Sequence, residues 1–418
     1  MSLVRSLSRP LTRGLTRNLN GADEELPLIQ TISFVGSSST DYMNVVGTTR
    51  SNYLRSTGMH LLGKMKGRVY PMWNPTGGSY GLTPGVGTYE FGTFGATIPT
   101  ISTNHLAELN ASRGDLIFIH AGMNDLYSGN QASQMMTSME TFVAALKAAG
   151  HSNIAIAGVT PRTSADNPTA GGKTLAVRTI EANDLLRPWC ATQGIPFCDW
   201  HSVVADGSGF LQSQYTYDVI HVNVLGGQVL ADFMATFLEE NYRMNPSPYD
   251  ADFIGTLNPE SNFSGFTAFT SGAGASISKS TVAADDGLGN WTRITLSQPT
   301  PSSSLAQVYR NNIGIPAVWG HVDGELLQTV LECRLVSSGY SFSMNCEPQN
   351  GLHSAVTSLN QNNIDAWQPF HGVFFGQPAA ANASTRFNME IRLRGSAVVL
   401  DVRRYGFRKV NSIVPPYL

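Results

Sequence analysis

The sequence predicts two folds in one chain: an α/β domain on a parallel sheet, then an antiparallel all-β sandwich of jelly-roll type. Three observations predict this. Over residues 28–242 short apolar runs alternate with longer segments of helical period, the pattern of a parallel sheet covered by helices on both faces. The stretch from Met244 to Asp250, with Pro246 and Pro248, then interrupts the chain with turn formers. Beyond it the helical period disappears, and short runs alternate inward and outward residues between Gly, Ser, Asn and Pro. The expected organisation is a tail at 1–26, an α/β domain at 27–243 and a β-sandwich at 251–418.

Taken in order, residues 29–35 form a first buried strand. Residues 41–66 contain helical material whose apolar side is Tyr42, Val45, Val46, Leu54, Leu61, Leu62 and Met65. A second strand at 69–73 leads into a glycine-rich loop at 77–95, and 115–120 is the third strand. A helix at 131–149 stops at Gly150, where a glycine cap belongs. The fourth strand is 153–159. A helix at 173–193 is stopped by Gly194, and 195–200 is the fifth strand. An amphipathic helix at 223–242 closes the domain. The later strands are 292–296, 306–309, 326–335, 340–346, 372–375, 386–393 and 397–407. Cys333 and Cys346 flank a candidate hairpin, where they can pair or stay as free buried thiols.

Bulk properties exclude several classes. A chain of 418 residues exceeds one ordinary core. With 14% charged residues, 41 glycines and a net charge of −3, it carries no basic excess for nucleic acid. No apolar run reaches the ~20 residues of a membrane helix. Cys190, Cys198, Cys333 and Cys346 lack metal-ligand spacing, so no zinc site is expected. In the tail, Leu3, Leu7, Leu11, Leu15 and Leu19 recur every four residues with Arg5, Arg9, Arg13 and Arg17 between them, and Pro10 and Gly14 interrupt a helix. That pattern reads as a solvated basic tail or as a docking peptide. It lacks the uninterrupted apolar segment and cleavage site of a signal peptide.

The chemistry-bearing residues fall at strand ends, where parallel sheets place their sites. Asp218 lies three residues before His221, a spacing that lets a carboxylate fix an imidazole's tautomer and stabilise its cation. After the first strand come Gly36, Ser37 and Ser38, a turn that either caps a helix or exposes a nucleophilic hydroxyl. After the third strand come Gly122, Met123, Asn124 and Asp125. This is either a helix cap or an oxyanion donor beside a close backbone approach. The loop from Gly77 to Thr83 offers exposed amides.

Four such blocks in this order resemble the SGNH (GDSL-like) hydrolase family over residues 28–242. The resemblance implies a three-layer, flavodoxin-like α/β/α sandwich. Ser38 would be the nucleophile, His221 the general base and then acid, and Asp218 its orienting acid. The oxyanion hole would combine the Ser38 amide, the Asn124 side chain and the amide of Gly81 (or, as the alternative, Gly78), with Gly36, Gly122 and Asp125 in support. One position departs from the family: Ser37 stands where an Asp usually precedes the nucleophile, which alters the local support of that turn.

The second half weakly resembles jelly-roll carbohydrate-binding modules, with its opening at 258–266 and closing at 397–402. The tail resembles the N-termini of some phage virion proteins. Together these imply a virion or extracellular esterase, a tail fibre or tailspike that deacetylates an O-acetylated bacterial surface polysaccharide, docks to other tail proteins through 1–26 and can form homo-oligomers. The alternatives are a non-catalytic glycan-binding adhesin and a bacterial acetyl-xylan-type esterase. Other conspicuous groups read as structural. His201 and Asp199 are loop polar residues, and His60, His105, His120 and His151 lack a partner at telling spacing. Met135, Met136 and Met139 are core packing. Trp73, Tyr80, Tyr89 and Phe91 either pack around the glycine-rich loop or stack on sugar rings.

Overall fold

The structure, a computed structural model, describes residues 25–41, 57–65, 68–72, 74, 76 and 90–244, and in the second half ten strands with Val336. The chain enters through β1 (Leu28–Ile29) and β2 (Thr31–Gly36), then α1 (Ser38–Asp41), α2 (Thr57–Lys64), β3 (Tyr70–Pro71) and β4 (Phe91–Gly92). Next come α3 (Ile98–Ser112), β5 (Leu116–His120), α4 (Met123–Tyr127), α5 (Ala132–Ala148) and β6 (Ile154–Ala157). A small hairpin of β7 (Thr169–Ala170) and β8 (Lys173–Thr174) precedes α6 (Leu175–Gln193), β9 (Phe197–Cys198), α7 (Trp200–Val204), α8 (Val224–Asn241) and β10 (Arg243–Met244).

The main sheet runs β3-β2-β5-β6-β9, with β4 also pairing β2, and every pairing in it is parallel. Taken by position, the five expected strands fall in the order 2-1-3-4-5, the flavodoxin-like arrangement. Strand alternation divides the core into two layers. Val35, Ile117, Ile119 and Ile156 pack with residues of α3, α5 and α6, whereas Ile32, Phe34, Leu116 and Phe118 pack with α2, Trp200 of α7 and α8. Burial of each such aliphatic or aromatic side chain contributes about 1.5–3 kcal/mol, before the entropy of ordering is set against it. Met135, Met136 and Met139 lie in the first layer, as core residues.

Helix ends follow their signals. Gly150 (φ +92°) closes α5, with its N–H and that of His151 donating to Lys147 and Leu146 carbonyls. Gly194 (φ +65°) closes α6 in the same way. α3 is the longest of the helices that the sequence reading did not expect, with α4 and α7 the short ones. Its buried stripe is Ile98, Ile101, His105, Leu109 and Ser112, only three of them apolar, so the hydrophobic period is faint. Pro99 in its first turn was the available start signal. β1 and β10 pair in parallel where the chain enters and leaves, and the Arg243 N–H donates to the Pro27 carbonyl.

In the second half, β11 (Thr267–Thr270), β12 (Ser276–Ala283), β13 (Asn290–Ser297), β14 (Ala306–Gly314) and β15 (Leu327–Leu335) are followed by β16 (Ser341–Pro348), β17 (Ala355–Asn360), β18 (Phe370–Gly376), β19 (Arg386–Arg394) and β20 (Ala397–Lys409). They form two antiparallel five-stranded sheets, β11-β14-β19-β16-β17 and β12-β13-β20-β15-β18. Across β13 and β20, Arg293 Nε and Nη2 donate to the two carboxylate oxygens of the fully buried Asp401, at 2.8 and 2.9 Å. The hairpin expected between Cys333 and Cys346 does not form. β15 is flanked by β18 and β20 and β16 by β17 and β19, so neither has an edge left for the other. The side chains of Cys333 and Cys346, and the tail at 1–24, lie outside the described residues. Among the described residues no helix is long and apolar enough to cross a membrane.

Candidate active site

The site is built on the carboxyl end of the sheet. β2 ends at Gly36, which pairs with His120 of β5 on one side and Gly92 of β4 on the other. A Cβ at Gly36 would lie 2.2 Å from the His120 carbonyl oxygen and 2.4 Å from Thr40 Oγ1, so this crossing accepts only glycine. Ser38 opens α1 immediately after, with 7% of its surface exposed. At the start of a helix the first amides have no partner within it.

His221 reaches Ser38 across 183 residues of sequence: Ser38 Oγ and His221 Nε2 are 2.8 Å apart. The histidine sits on a tight loop closed by the Thr216–Val222 bridge and by a Tyr217 N–H to His221 carbonyl bond. Asp218 does two jobs in that loop. Its Oδ1 accepts the backbone N–H groups of Ile220 and His221, and its Oδ2 lies 2.7 Å from His221 Nδ1. A carboxylate only accepts, so Nδ1 carries the proton and Nε2 receives the serine hydroxyl. Burial works against the Asp218 charge, but the bonds from His221 and Ile220 hold its carboxyl below the usual carboxylate range. Asn223 fastens the loop to α8, capping Gly226 while its amide donates to the Gln214 and Thr216 carbonyls.

On the neighbouring strand end, Gly122 (φ +112°) leads into α4. Asn124 Nδ2 donates to the Ala96 carbonyl at 3.0 Å, which leaves the second amide hydrogen for another acceptor. Asp125, with no exposed surface, accepts the Ile98 N–H at the start of α3. Burial pushes its carboxyl up to about 6, against the N–H bonds from Ile98 and Asp125 itself, and its Oδ1 has no partner among the described residues. A folded-state pKa above the unfolded value makes the folded protein lose stability as pH rises from about 4 to about 6. Asp125→Asn is expected to remove that loss. Urea unfolding of both proteins at pH 4 and pH 7 should show the wild type falling relative to the variant by roughly 2–3 kcal/mol. Equal pH dependence would refute it.

Residues 36–229 match the model of the GDSL-like Lipase/Acylhydrolase family. This segment is a GDSL-like hydrolase domain. Such domains are serine ester hydrolases, and the α/β fold with its parallel sheet is theirs. Among solved structures the chain is similar to a GDSL-like lipase from Bacteroides thetaiotaomicron, at 15% identity over 50% of this chain and 88% of that one, with a TM-score of 0.38. It is also similar to a family 3 carbohydrate esterase from Clostridium thermocellum (17% identity, 51% and 96% covered, TM-score 0.37). A third is a lipase/acylhydrolase from Enterococcus faecalis (15%, 52% and 98%, TM-score 0.35). No curated protein matches the chain.

Around the GDSL-like site, the other expected residues are distributed unevenly. Gly78 and Gly81 lie outside the described residues, as do Trp73, Tyr80 and Tyr89. Phe91 is a core residue. Asp199 caps α7 through the Ser202 N–H and pairs with Arg187, and His201 lies within the same short helix. Cys190 and Cys198 are free and buried, and burial pushes the Cys190 thiol up to about 12. His120 stands beside the site, edge-on to Trp200 and 3.3 Å from Thr160 Oγ1, and burial pushes its pKa down to about 4. The sequence reading gave it no partner, because Thr160 is 40 residues away. It also missed the stacking of Arg162 on Tyr127, with the guanidinium 3.7 Å from the ring centroid.

Proposed function

We propose that the domain is a carbohydrate O-acetyl esterase with Ser38 as nucleophile, His221 as general base and acid, and Asp218 as orienting acid. The unbroken Ser38–His221–Asp218 hydrogen-bond chain, 2.8 Å and 2.7 Å long, carries this reading. Ser38 Oγ attacks the ester carbonyl as its proton passes to His221 Nε2, and Asp218 holds the resulting imidazolium. The oxyanion takes N–H groups from Ser38, from the free hydrogen of Asn124 and from Gly81 or Gly78. Collapse of the tetrahedral intermediate breaks the bond to the alkoxide, which leaves with the His221 proton. Water, deprotonated by the same imidazole, then attacks the acyl-enzyme and returns Ser38 with free acetate.

A sugar substrate is supported by the exposed rings of Phe94 just after β4, Tyr127 at the end of α4 and Tyr217 in the loop that carries Asp218 and His221. It is supported also by the all-β second half, read as a jelly-roll glycan-binding domain. With the Leu/Arg tail at 1–26 as a docking peptide for other tail proteins, the protein is a virion esterase that trims an O-acetylated bacterial surface polysaccharide. Acetate release from purified O-acetylated polysaccharide tests it, with acetylated xylan in parallel and folded Ser38→Ala as the blank. Release from the surface polymer by the wild type alone is the expected result. Preference for xylan would favour the bacterial acetyl-xylan-type esterase. Binding of the polymer without release would favour the adhesin.

A further inference from the structure

Beside the site lies a second hydroxyl–imidazole–carboxylate array. Thr93 Oγ1 is 2.8 Å from His105 Nε2, and His105 Nδ1 is 2.7 Å from Glu108 Oε2. Glu108 also accepts the Thr76 hydroxyl and, at 2.9 Å, the Asn74 amide, whose nitrogen lies 3.4 Å from the Glu90 carbonyl. Burial works against its charge, and the bonds from His105, Thr76 and Asn74 keep its carboxyl below the ordinary range. An ionised Glu108 fixes the His105 proton on Nδ1, so Nε2 accepts from Thr93, whose oxygen accepts in turn from Asn104 at 3.2 Å. His105 is 7% exposed, with its ring edge-on to Phe91. Every member of the array is therefore constrained.

The array ends at the nucleophile. The Thr93 N–H donates to the Gly36 carbonyl at 3.1 Å, two residues before Ser38. One residue thus holds the nucleophile turn by its backbone and is held by its side chain. We propose that Thr93, His105 and Glu108 are positioning residues that fix the Gly36–Ser38 turn from the β4 side. This rests on Ser38 being the nucleophile. None of the three needs to touch substrate. They act through the Gly36 carbonyl, whose displacement rotates the turn and moves Ser38 Oγ off the line to His221 Nε2. The array also supplies outside support to a turn in which Ser37 occupies the position before the nucleophile.

Thr93→Val removes the hydroxyl and keeps the backbone N–H. With p-nitrophenyl acetate it should lower kcat about 10-fold while KM stays within about two-fold, because small misplacement of a nucleophile costs rate more than binding. Phosphonylation of Ser38 by a fluorophosphonate should slow in step with kcat. Thr93→Ser should restore both rates, and Glu108→Gln should resemble Thr93→Val. Wild-type kcat in folded Thr93→Val and Glu108→Gln would overturn the proposal. So would Thr93→Ser being impaired as much as Thr93→Val, since that would show a packing role. If Thr93→Val fails to fold, Glu108→Gln carries the same test. Full activity in Ser38→Ala would instead overturn the nucleophile assignment, whatever Thr93 variants do.

Discussion

Ser38→Ala and His221→Ala are each expected to lower kcat for p-nitrophenyl acetate by about 10⁵-fold or more, with little change in KM, and the double variant should be no slower than either. The reason is the geometry of one proton. Ser38 Oγ and His221 Nε2 are 2.8 Å apart, and the imidazole is held from behind by Asp218, so in the proposed mechanism attack and proton removal are a single event. Without the hydroxyl there is no acyl-enzyme, and without the imidazole the hydroxyl keeps its proton. The two losses overlap and do not multiply. In the proposed mechanism oxyanion stabilisation by donors such as Asn124 survives, enough to keep the variants above the uncatalysed rate. Steady-state kinetics on the three variants decide the matter. A double variant far slower than the singles would mean that the two side chains act separately.

Gly36→Ala is expected to destabilise the domain by roughly 3–4 kcal/mol and to abolish activity in whatever remains folded. The added Cβ would stand 2.2 Å from the His120 carbonyl oxygen, which is backbone in the middle of the sheet and has no rotamer to escape into. Either the β2–β5 ladder opens at its last pair or the turn bearing Ser38 tilts. Gly95→Ala is the informative control. Nothing lies within 4 Å of its Cβ, and only its φ of +71° resists substitution. It should cost about 1 kcal/mol and leave catalysis intact. Urea midpoints with unchanged slopes would measure both. A Gly36→Ala midpoint close to that of Gly95→Ala would refute the steric argument.

The sequence made some of this arrangement legible and hid the rest for physical reasons. Asp218 and His221 were readable as a pair because their contact is local, three residues apart on one loop. Their link to Ser38 spans 183 residues and could be inferred only from the order of the strands, since parallel strands gather their loops at one end. The apolar runs of β2, β5 and β6 announced themselves because the sheet is covered on both faces. β4 is two residues long and lies within what reads as a glycine-rich loop. α3 has too few apolar residues for its period to show. His105 and Glu108 are three residues apart, as Asp218 and His221 are, but with the helix unread nothing around them marked one face shared by the two.

The parallel ribbon of β1 and β10 has a mechanical consequence. The chain arrives along β1 and departs along β10 in the same direction, so tension between the flanking segments pulls the two strands past each other. Such loading is shear, in which the ribbon's bonds resist together instead of opening one after another. Two further ties lie across that joint: Arg243 Nε donates to the Leu26 carbonyl at 2.9 Å, and the same guanidinium pairs with Glu25. A pull transmitted along the chain therefore meets this clasp before it reaches β2, and the serine turn is shielded from the strain.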